Sequence, residues 1–388
     1  MRLYRSSATR SHLRRLTMAV LACGVAWAGP PASTASAQWT VINLHPVGAT
    51  GSEAHGVRNG QQVGEVAVGG VAHASLWTGT AATWVDLHPA GAIDSDAWGV
   101  DAGHQVGWAR VPSGFSIPPR ASLWSGSAAS WVDLTPDGAM NSIAYGMATG
   151  KQVGSADVDG FLQAIMWNGA ASSWVNLHPA EASGGTVQRS ELNGVGGRVQ
   201  GDSLGRQVGW VQTTDFPPVP QSASLWAGSA ASWVNLHPPG ASSSRAWGVD
   251  IVDVSQVVGW ATVGGVVRAA LWGGPALSWV DLNPVASFAS QAYGVDGGQQ
   301  VGYFQPVGGN HASLWSGTAA SLVDLHAFLP AGFTSSEARG IWHDETSTYV
   351  VGYGFNSNTG RREALMWMGP PDLIFRDGFD GGRAAEAS

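Results

Sequence analysis

The sequence predicts an all-β fold: a seven-bladed β-propeller of four-stranded blades, its ring closed by the N-terminal strand completing the last blade. Three observations lead there: a repeating unit, four strand-like runs within each unit, and a phase that leaves one run stranded at the start. The repeat is measured by the Leu of an Asp/Asn-Leu-His-Pro phrase. It falls at Leu44, Leu87, Leu134, Leu177, Leu236, Leu282 and Leu325, in steps of 43, 47, 43, 59, 46 and 43 residues. Self-similarity at such a period marks a solenoid or a propeller.

The second unit shows the runs plainly, at Ala97–Asp101, Gln105–Arg110, Ala121–Ser125 and Trp131–Leu134. Each is short and rich in Val, Trp and Leu, and Gly or Ser-rich segments separate them, which leaves no room for a helix. Four strands in about 45 residues make one propeller blade. First-second-third triplets end seven times in Trp, at Trp77, Trp124, Trp167, Trp226, Trp272, Trp315 and Trp367. The fourth run also occurs seven times, but its first copy, Trp39–Leu44, precedes any triplet and none follows Trp367. The N-terminal run is therefore expected to complete the last blade. A solenoid would need polar capping repeats, and neither end shows one.

Residues 1–37 read as a leader. Arg2, Arg5, Arg10, Arg14 and Arg15 precede an apolar run from Leu16 to Ala28, and Ala35-Ser36-Ala37 offers a cleavage site. That is the pattern of a secretory signal peptide; acylation of Cys23 is the alternative. The expected organisation is a signal peptide over 1–37, a propeller over 38–368 and a flexible tail over 369–388. The tail phrase Ile374–Asp380 resembles one found near the end of many exported bacterial proteins.

Without the leader, 14 basic residues face 27 acidic ones, a net charge of −13, with Lys151 as the one lysine. Nucleic acid and anionic lipid both call for a basic surface, so neither is expected as a partner. The single cysteine, Cys23, lies in the leader, so stability is expected from a core rather than from disulfides. No later segment is long and apolar enough to span a bilayer. A secreted monomer without cofactor is the expectation.

The phrases His73-Ala74-Ser75-Leu76-Trp77 and His311-Ala312-Ser313-Leu314-Trp315, with Gln62-Val63-Gly64, Gln105-Val106-Gly107 and their five counterparts, resemble the HAF family of bacterial extracellular repeat proteins. The resemblance covers about 39–368. It departs in having Ser where the family has Phe, and in its regular Leu-His-Pro turn. It implies export and a repeat fold, and it carries no catalytic residues to transfer.

Positions that repeat belong to the scaffold. The seven Trp are expected between blades. Ser52, Ser95, Ser142, Ser190, Ser244, Ser290 and Ser336 open every first run and are expected to tie a backbone group of the neighbouring blade. His45, His88, His178, His237 and His326, replaced by Thr135 and Asn283 in two units, are too dispersed around a ring to share a metal. Asp157-Val158-Asp159-Gly160 is read as a turn, because two carboxylates fall short of the oxygens calcium needs. No metal site and no catalytic set is assigned.

Positions that fail to repeat are the candidate site. Two places in the first run vary, one through Glu53, Asp96 and Glu191, the other through Trp98, Tyr145, Trp247 and Tyr293. Acids mixed with aromatics at a channel mouth suit a sugar or a cation. The links between second and third runs are longest in units two and four, where Phe115 and Phe216 sit among prolines, and the link Ala180–Arg189 is long too. All three emerge on one face, and loops on a rigid scaffold often carry function. The expected function is a non-catalytic binding or structural module for a glycan or surface protein. The alternative is a polysaccharide lyase or hydrolase using carboxylates at the channel mouth, with Glu53, Glu191, Arg339, His343, Asp344 and Glu345 as candidates.

Overall fold

A computed structural model of the chain describes residues 39–112, 117–182, 185–196, 205–213, 221–251, 256–274 and 277–371. The leader, Phe115, Phe216, the insertion over 197–204 and the tail beyond 371 lie outside the described residues. Seven antiparallel sheets follow one another in chain order, six of them built from consecutive strands. The seventh has the spatial order Thr40–Asn43, Arg361–Gly369, Thr348–Asn356, Phe333–His343. Thr40 stands opposite Met368 and Asn43 opposite Leu365, so strands from both ends of the chain share one blade. The seven-bladed propeller and its closure are as the repeat phase predicts. Among the described residues no helix is long and apolar enough to cross a membrane.

The strand bounds differ from the expected ones in two ways. The fourth run of blade two shrinks from Trp131–Leu134 to Val132–Asp133, because the N–H of Trp131 turns back to Ala128 O and closes a single 3-10 turn, Ala128–Ser130. Ala81–Thr83, Ala171–Ser173, Ala230–Ser232 and Ala319–Ser321 repeat that turn. In blade four, Glu181–Ala182 pairs with the start of Gly185–Gly196, so the long link becomes a hairpin that extends the innermost strand to 12 residues.

The Trp at the end of every third strand is no more than 1 % exposed. Trp77 of blade one packs with Ala54 and Val57 of its own blade and with Val351, Ala364 and Met366 of blade seven. Trp124 stands against Val63, Ala74 and Leu76 of blade one. Each indole is thus the wedge between two blades, and truncating one to Ala is expected to cost about 3–5 kcal/mol.

The serines make the second joint. Each Oγ accepts the N–H of an Ala on the preceding blade's third strand: Ala364 to Ser52, Ala74 to Ser95, Ala121 to Ser142, Ala164 to Ser190, Ala223 to Ser244, Ala269 to Ser290 and Ala312 to Ser336, at 2.8–3.0 Å. The Leu-His histidines complete this joint. His45 Nε2 stands 3.2 Å from Ala49 O and Nδ1 2.8 Å from Ser52 Oγ. A carbonyl only accepts, so Nε2 carries the proton and Nδ1 accepts from the serine hydroxyl. His88 and His237 repeat both contacts. Ser290 donates in the same sense to Asn283 Oδ1 at 2.6 Å, and Thr135 meets Ser142 at 2.8 Å. Thr and Asn replace His because the position asks for an acceptor. The residue two before each histidine caps the turn; Asn43 Oδ1 accepts from His45 N at 2.8 Å.

Burial lowers the pKa of His45, His88, His178 and His326. In the window from about 6.5 down to the folded-state values the unfolded chain binds more protons, so stability falls as pH drops. The urea midpoint is expected to fall between pH 7.5 and pH 5, and less so in His45→Asn, which copies the natural joint at Asn283. An equal fall in that variant would remove His45 from the account.

Candidate functional site

The first strand of each blade is innermost, and its neighbours in space are the first strands of adjacent blades. A glycine in every one allows the approach. A Cβ on Gly56 would stand 2.7 Å from Trp98 O, one on Gly248 2.8 Å from Tyr293 O, and one on Gly340 2.9 Å from His55 O, which closes the circle. Directly before each of these glycines the ladder skips one residue. Ala54 pairs with Gly64 and Gly56 with Val63, leaving His55 as the extra residue of a β-bulge. The same break frees Trp98, Tyr145, Asn193, Trp247, Tyr293 and Arg339. Bulges re-aim side chains, and here the re-aimed residue is the non-repeating one. The Gly of each Val-Gly phrase is the counterpart: a Cβ on Gly107 would overlap Asp96 O across the bulge.

Three clusters occupy the inner ring. In the first, Glu191 of blade four is 5 % exposed. It accepts from Asn193 Nδ2 at 2.8 Å, from Trp210 Nε1 at 3.1 Å, from Tyr145 Oη at 3.4 Å, and from Arg245. The Arg245 guanidinium lies 4.3 Å from the Trp247 ring centre and 5.4 Å from that of Trp210. Burial pushes the Tyr145 hydroxyl's pKa up, with Glu191 adding to it.

In the second cluster, Arg339 lies 4.1 Å over Tyr293, pairs with Glu337 at 2.9 Å and donates to Tyr353 Oη at 3.2 Å. Trp247 and Tyr293 meet edge-on at 5.9 Å, which joins the two clusters.

The third cluster lies between the inner ends of blades one and two. His55 stacks on Trp98 at 4.7 Å and reaches Asp96 at 3.3 Å. Burial works against the charged ring of His55, but Asp96 outweighs it and the pKa rises. Glu53 pairs with Arg362 at 2.5 Å. Directly across the ladder from Glu53 stands Glu65. Burial raises the Glu65 pKa to about 7, and the Asp96 charge adds to it.

That value gives a pH prediction. A carboxyl raised from its unfolded value to about 7 contributes stability below about 4.5 that is lost as pH climbs through 7. Glu65→Gln should therefore melt higher than the parent at pH 8 and level with it at pH 4.5. The idea fails if the two proteins melt alike at pH 8.

Of the expected site residues, Glu53, Asp96, Trp98, Tyr145, Glu191, Trp247 and Tyr293 all stand on the innermost strands, the aromatics at a bulge and the acids two residues before one. They divide among the three clusters. His343 is the last residue of its strand and Asp344 lies just past it; His343 engages Asp296 and Gln299, and Asp344 holds its own turn through Thr346 and Ser347. They do not join Glu53, Glu191 and Arg339. Asp159-Gly160 is a tight turn, with φ of 54° and 82°. The sequence reading missed Glu65, Trp108, Trp210, Trp260, Tyr303 and Tyr353, which face the inner strand from the second. Each directly follows a Val-Gly phrase, and that offset was the available signal.

No family model matches the chain, and no curated protein matches it. Among solved structures it is similar to a puromycin hydrolase S511A mutant complexed with PGG, at 12 % identity and a TM-score of 0.49 over 83 % of this chain. It spans 56 % of that protein's length. The β-propeller domain of the Trilobed protease from Pyrococcus furiosus is similar at 6 % identity and a TM-score of 0.47, over 86 % of this chain and 99 % of that one. TolB from Acinetobacter baumannii is similar at 7 % identity and a TM-score of 0.41, over 85 % and 79 %.

Proposed function

We propose that the chain is an exported, HAF-like binding module that takes a glycan at the open end of its inner ring, without catalysis. One observation carries this reading. Seven bulges, each braced by its own pair of glycines, present five residue types (His, Trp, Tyr, Asn and Arg) to the centre, while the joints between blades repeat almost unchanged. A purely structural ring has no use for that variety. Half-buried indoles and phenols beside acids and arginines match what a sugar needs, an apolar face to stack on and charged groups to hydrogen-bond hydroxyls. The Nε1 atoms of Trp98 and Trp247 and Nδ1 of His55 have no hydrogen-bond partner among the described residues.

The test is a titration of residues 38–388 with bacterial and plant polysaccharides, followed by intrinsic fluorescence, since all Trp except Trp27 lie in that span. A saturable shift with one glycan and no product is the expected result. A flat response across the panel would end the glycan reading and leave a protein partner.

A polysaccharide hydrolase is the second reading, favoured by the Glu53–Glu65 pair. Arg362 pairs with one carboxylate, while the other keeps its proton near neutrality, and acid-base catalysis exploits such a division. Reducing ends released by the parent and not by Glu65→Gln would establish it.

A further inference from the structure

We propose that one face of the propeller rests on a zwitterionic lipid bilayer, with the apolar tips of its loops dipping into the headgroup layer. The proposal goes beyond the glycan reading and does not rest on it.

Consecutive strands of each blade run antiparallel. The links from second to third strand, and from fourth strand to the next blade, therefore leave on one face of the ring, and the remaining links on the other. Apart from Val85, Val132, Val175 and Val234 on the outermost strands, every exposed large hydrophobic side chain among the described residues lies at the first face. The opposite face has none. These tips go round most of the ring. Val285 and Phe288 stand between blades five and six, Val307 on blade six, Val47 between blades seven and one, Met140 between blades two and three, and Phe161 on blade three. Apolar surface gathered on one side of a protein marks a contact with a partner or a membrane, and a ring of tips calls for a broad, flat one.

Local structure throws two of these residues outward. Pro46-Val47-Gly48-Ala49 and Pro284-Val285-Ala286-Ser287 each close a β-turn, with Ala49 N on Pro46 O at 3.3 Å and Ser287 N on Pro284 O at 3.2 Å. The third residue of each turn takes a left-handed φ, 87° at Gly48 and 66° at Ala286, which leaves the valine at the outer corner. Val47 is 102 % exposed and Val285 101 %, so both stand clear of the protein on every side. In other blades the same corner holds Ala90, Asp137 and Pro239. The turn itself therefore has no need of valine.

Charge on this face is largely answered within it. Arg110 pairs with Asp94, Arg120 with Asp133, Arg268 with Asp281 and Arg362 with Glu53. Asp86 and Asp324 each hold a histidine. The exposed acids outside such pairs are Asp137, Asp159 and Glu181, with Arg189 among them. Paired charges of both signs match the phosphate and ammonium of a zwitterionic headgroup, whereas the chain's overall excess of acids repels an anionic surface. A folded protein partner would need a socket for every prong. A fluid interface accepts apolar groups in any arrangement, at the boundary between headgroups and acyl chains.

Co-sedimentation of residues 38–388 with phosphatidylcholine vesicles tests this. Two fourfold variants are compared with the parent. One carries Val47→Ser, Val285→Ser, Phe288→Ser and Val307→Ser on the proposed face; the other carries Val85→Ser, Val132→Ser, Val175→Ser and Val234→Ser on the outer rim. Burying one such side chain is worth about tenfold in partitioning. The face variant should therefore lose about a thousandfold or more, while the rim variant stays within about twofold of the parent. Vesicles of anionic phosphatidylglycerol should bind the parent more weakly than phosphatidylcholine does. Should the face variant fail to fold, Val47→Ser and Val285→Ser, each on a solvent-facing corner, read the same effect singly at about tenfold. A parent that does not sediment with phosphatidylcholine overturns the proposal, and so does an equal loss in the rim variant. Tighter binding to the anionic vesicles overturns it too, because charge rather than the tips would then drive the contact. Sedimentation equilibrium without lipid supplies the last arm. A parent that is monomeric there agrees with the proposal, whereas a dimer dispersed by the face variant would put a second copy of the chain in the bilayer's place.

Discussion

Gly107→Ala is expected to prevent the ring from forming. The added methyl would overlap the backbone oxygen of Asp96, and the next nearest atoms are backbone of Asp96 and Ala97, so no side chain can swing away. Relief needs the bulge to flatten, which would pull Trp98 out of the inner ring and part blade two from blade three. Steric conflicts of this kind fall in the tail of mutational effects, above about 4 kcal/mol. Gly273→Ala is the matched control, because its new Cβ would meet nothing within 4 Å. Soluble yield and melting temperature of the two variants compare them directly. A Gly107→Ala protein that melts within about 2 °C of Gly273→Ala would refute the bulge as the reason for the Val-Gly phrase.

Removing residues 38–44 should have the next largest effect. The deletion takes away the ladder from Thr40–Asn43 to Leu365–Met368. It also takes the fully buried Leu44 and the 2.8 Å bond from Asn43 Nδ2 to Glu363. Glu363 is 3 % exposed and keeps Asn356, Thr359 and Arg361 as partners, so its charge survives with one support fewer. The buried leucine alone accounts for about 2–5 kcal/mol, and an open sheet edge adds to it. Differential scanning calorimetry should register a fall of about 10 °C. A synthetic peptide of residues 38–45 should restore part of that loss by adding the missing strand in trans. An unshifted transition would mean that the ring holds without its clasp.

What the sequence made legible was whatever it wrote seven times. The Trp wedges, the Ser joints and the closing strand could be read because a structural need that recurs leaves a recurring residue. Trp39–Leu44 standing ahead of the first triplet was enough to place it in blade seven. The histidines were legible as scaffold, but not as acceptors, because the direction of a hydrogen bond lies in the position of Ala49 O and not in the letter His. The bulges were invisible. A skipped residue in a ladder is a relation between two strands, and only the pairing of Ala54 with Gly64 and Gly56 with Val63 reveals it. Glu65 was missed for the same reason: its meaning comes from standing across from Glu53. The 3-10 turns were hidden by length, since three residues between two strands leave no periodicity to detect.

The shared blade has a consequence for how this chain could be recut. Thr40 and Met368 face each other across one pair of strands, so the start and finish of the ring lie within a few residues' reach. A short linker between them would turn the chain into a continuous loop of seven near-equivalent units. New ends could then be opened at a hairpin such as Asp159-Gly160 between neighbouring strands. Circular permutants of this kind would keep every joint and every inward-facing residue while moving the seam to another blade. The order in which the blades are synthesised is then a historical choice of this sequence rather than a requirement of its architecture.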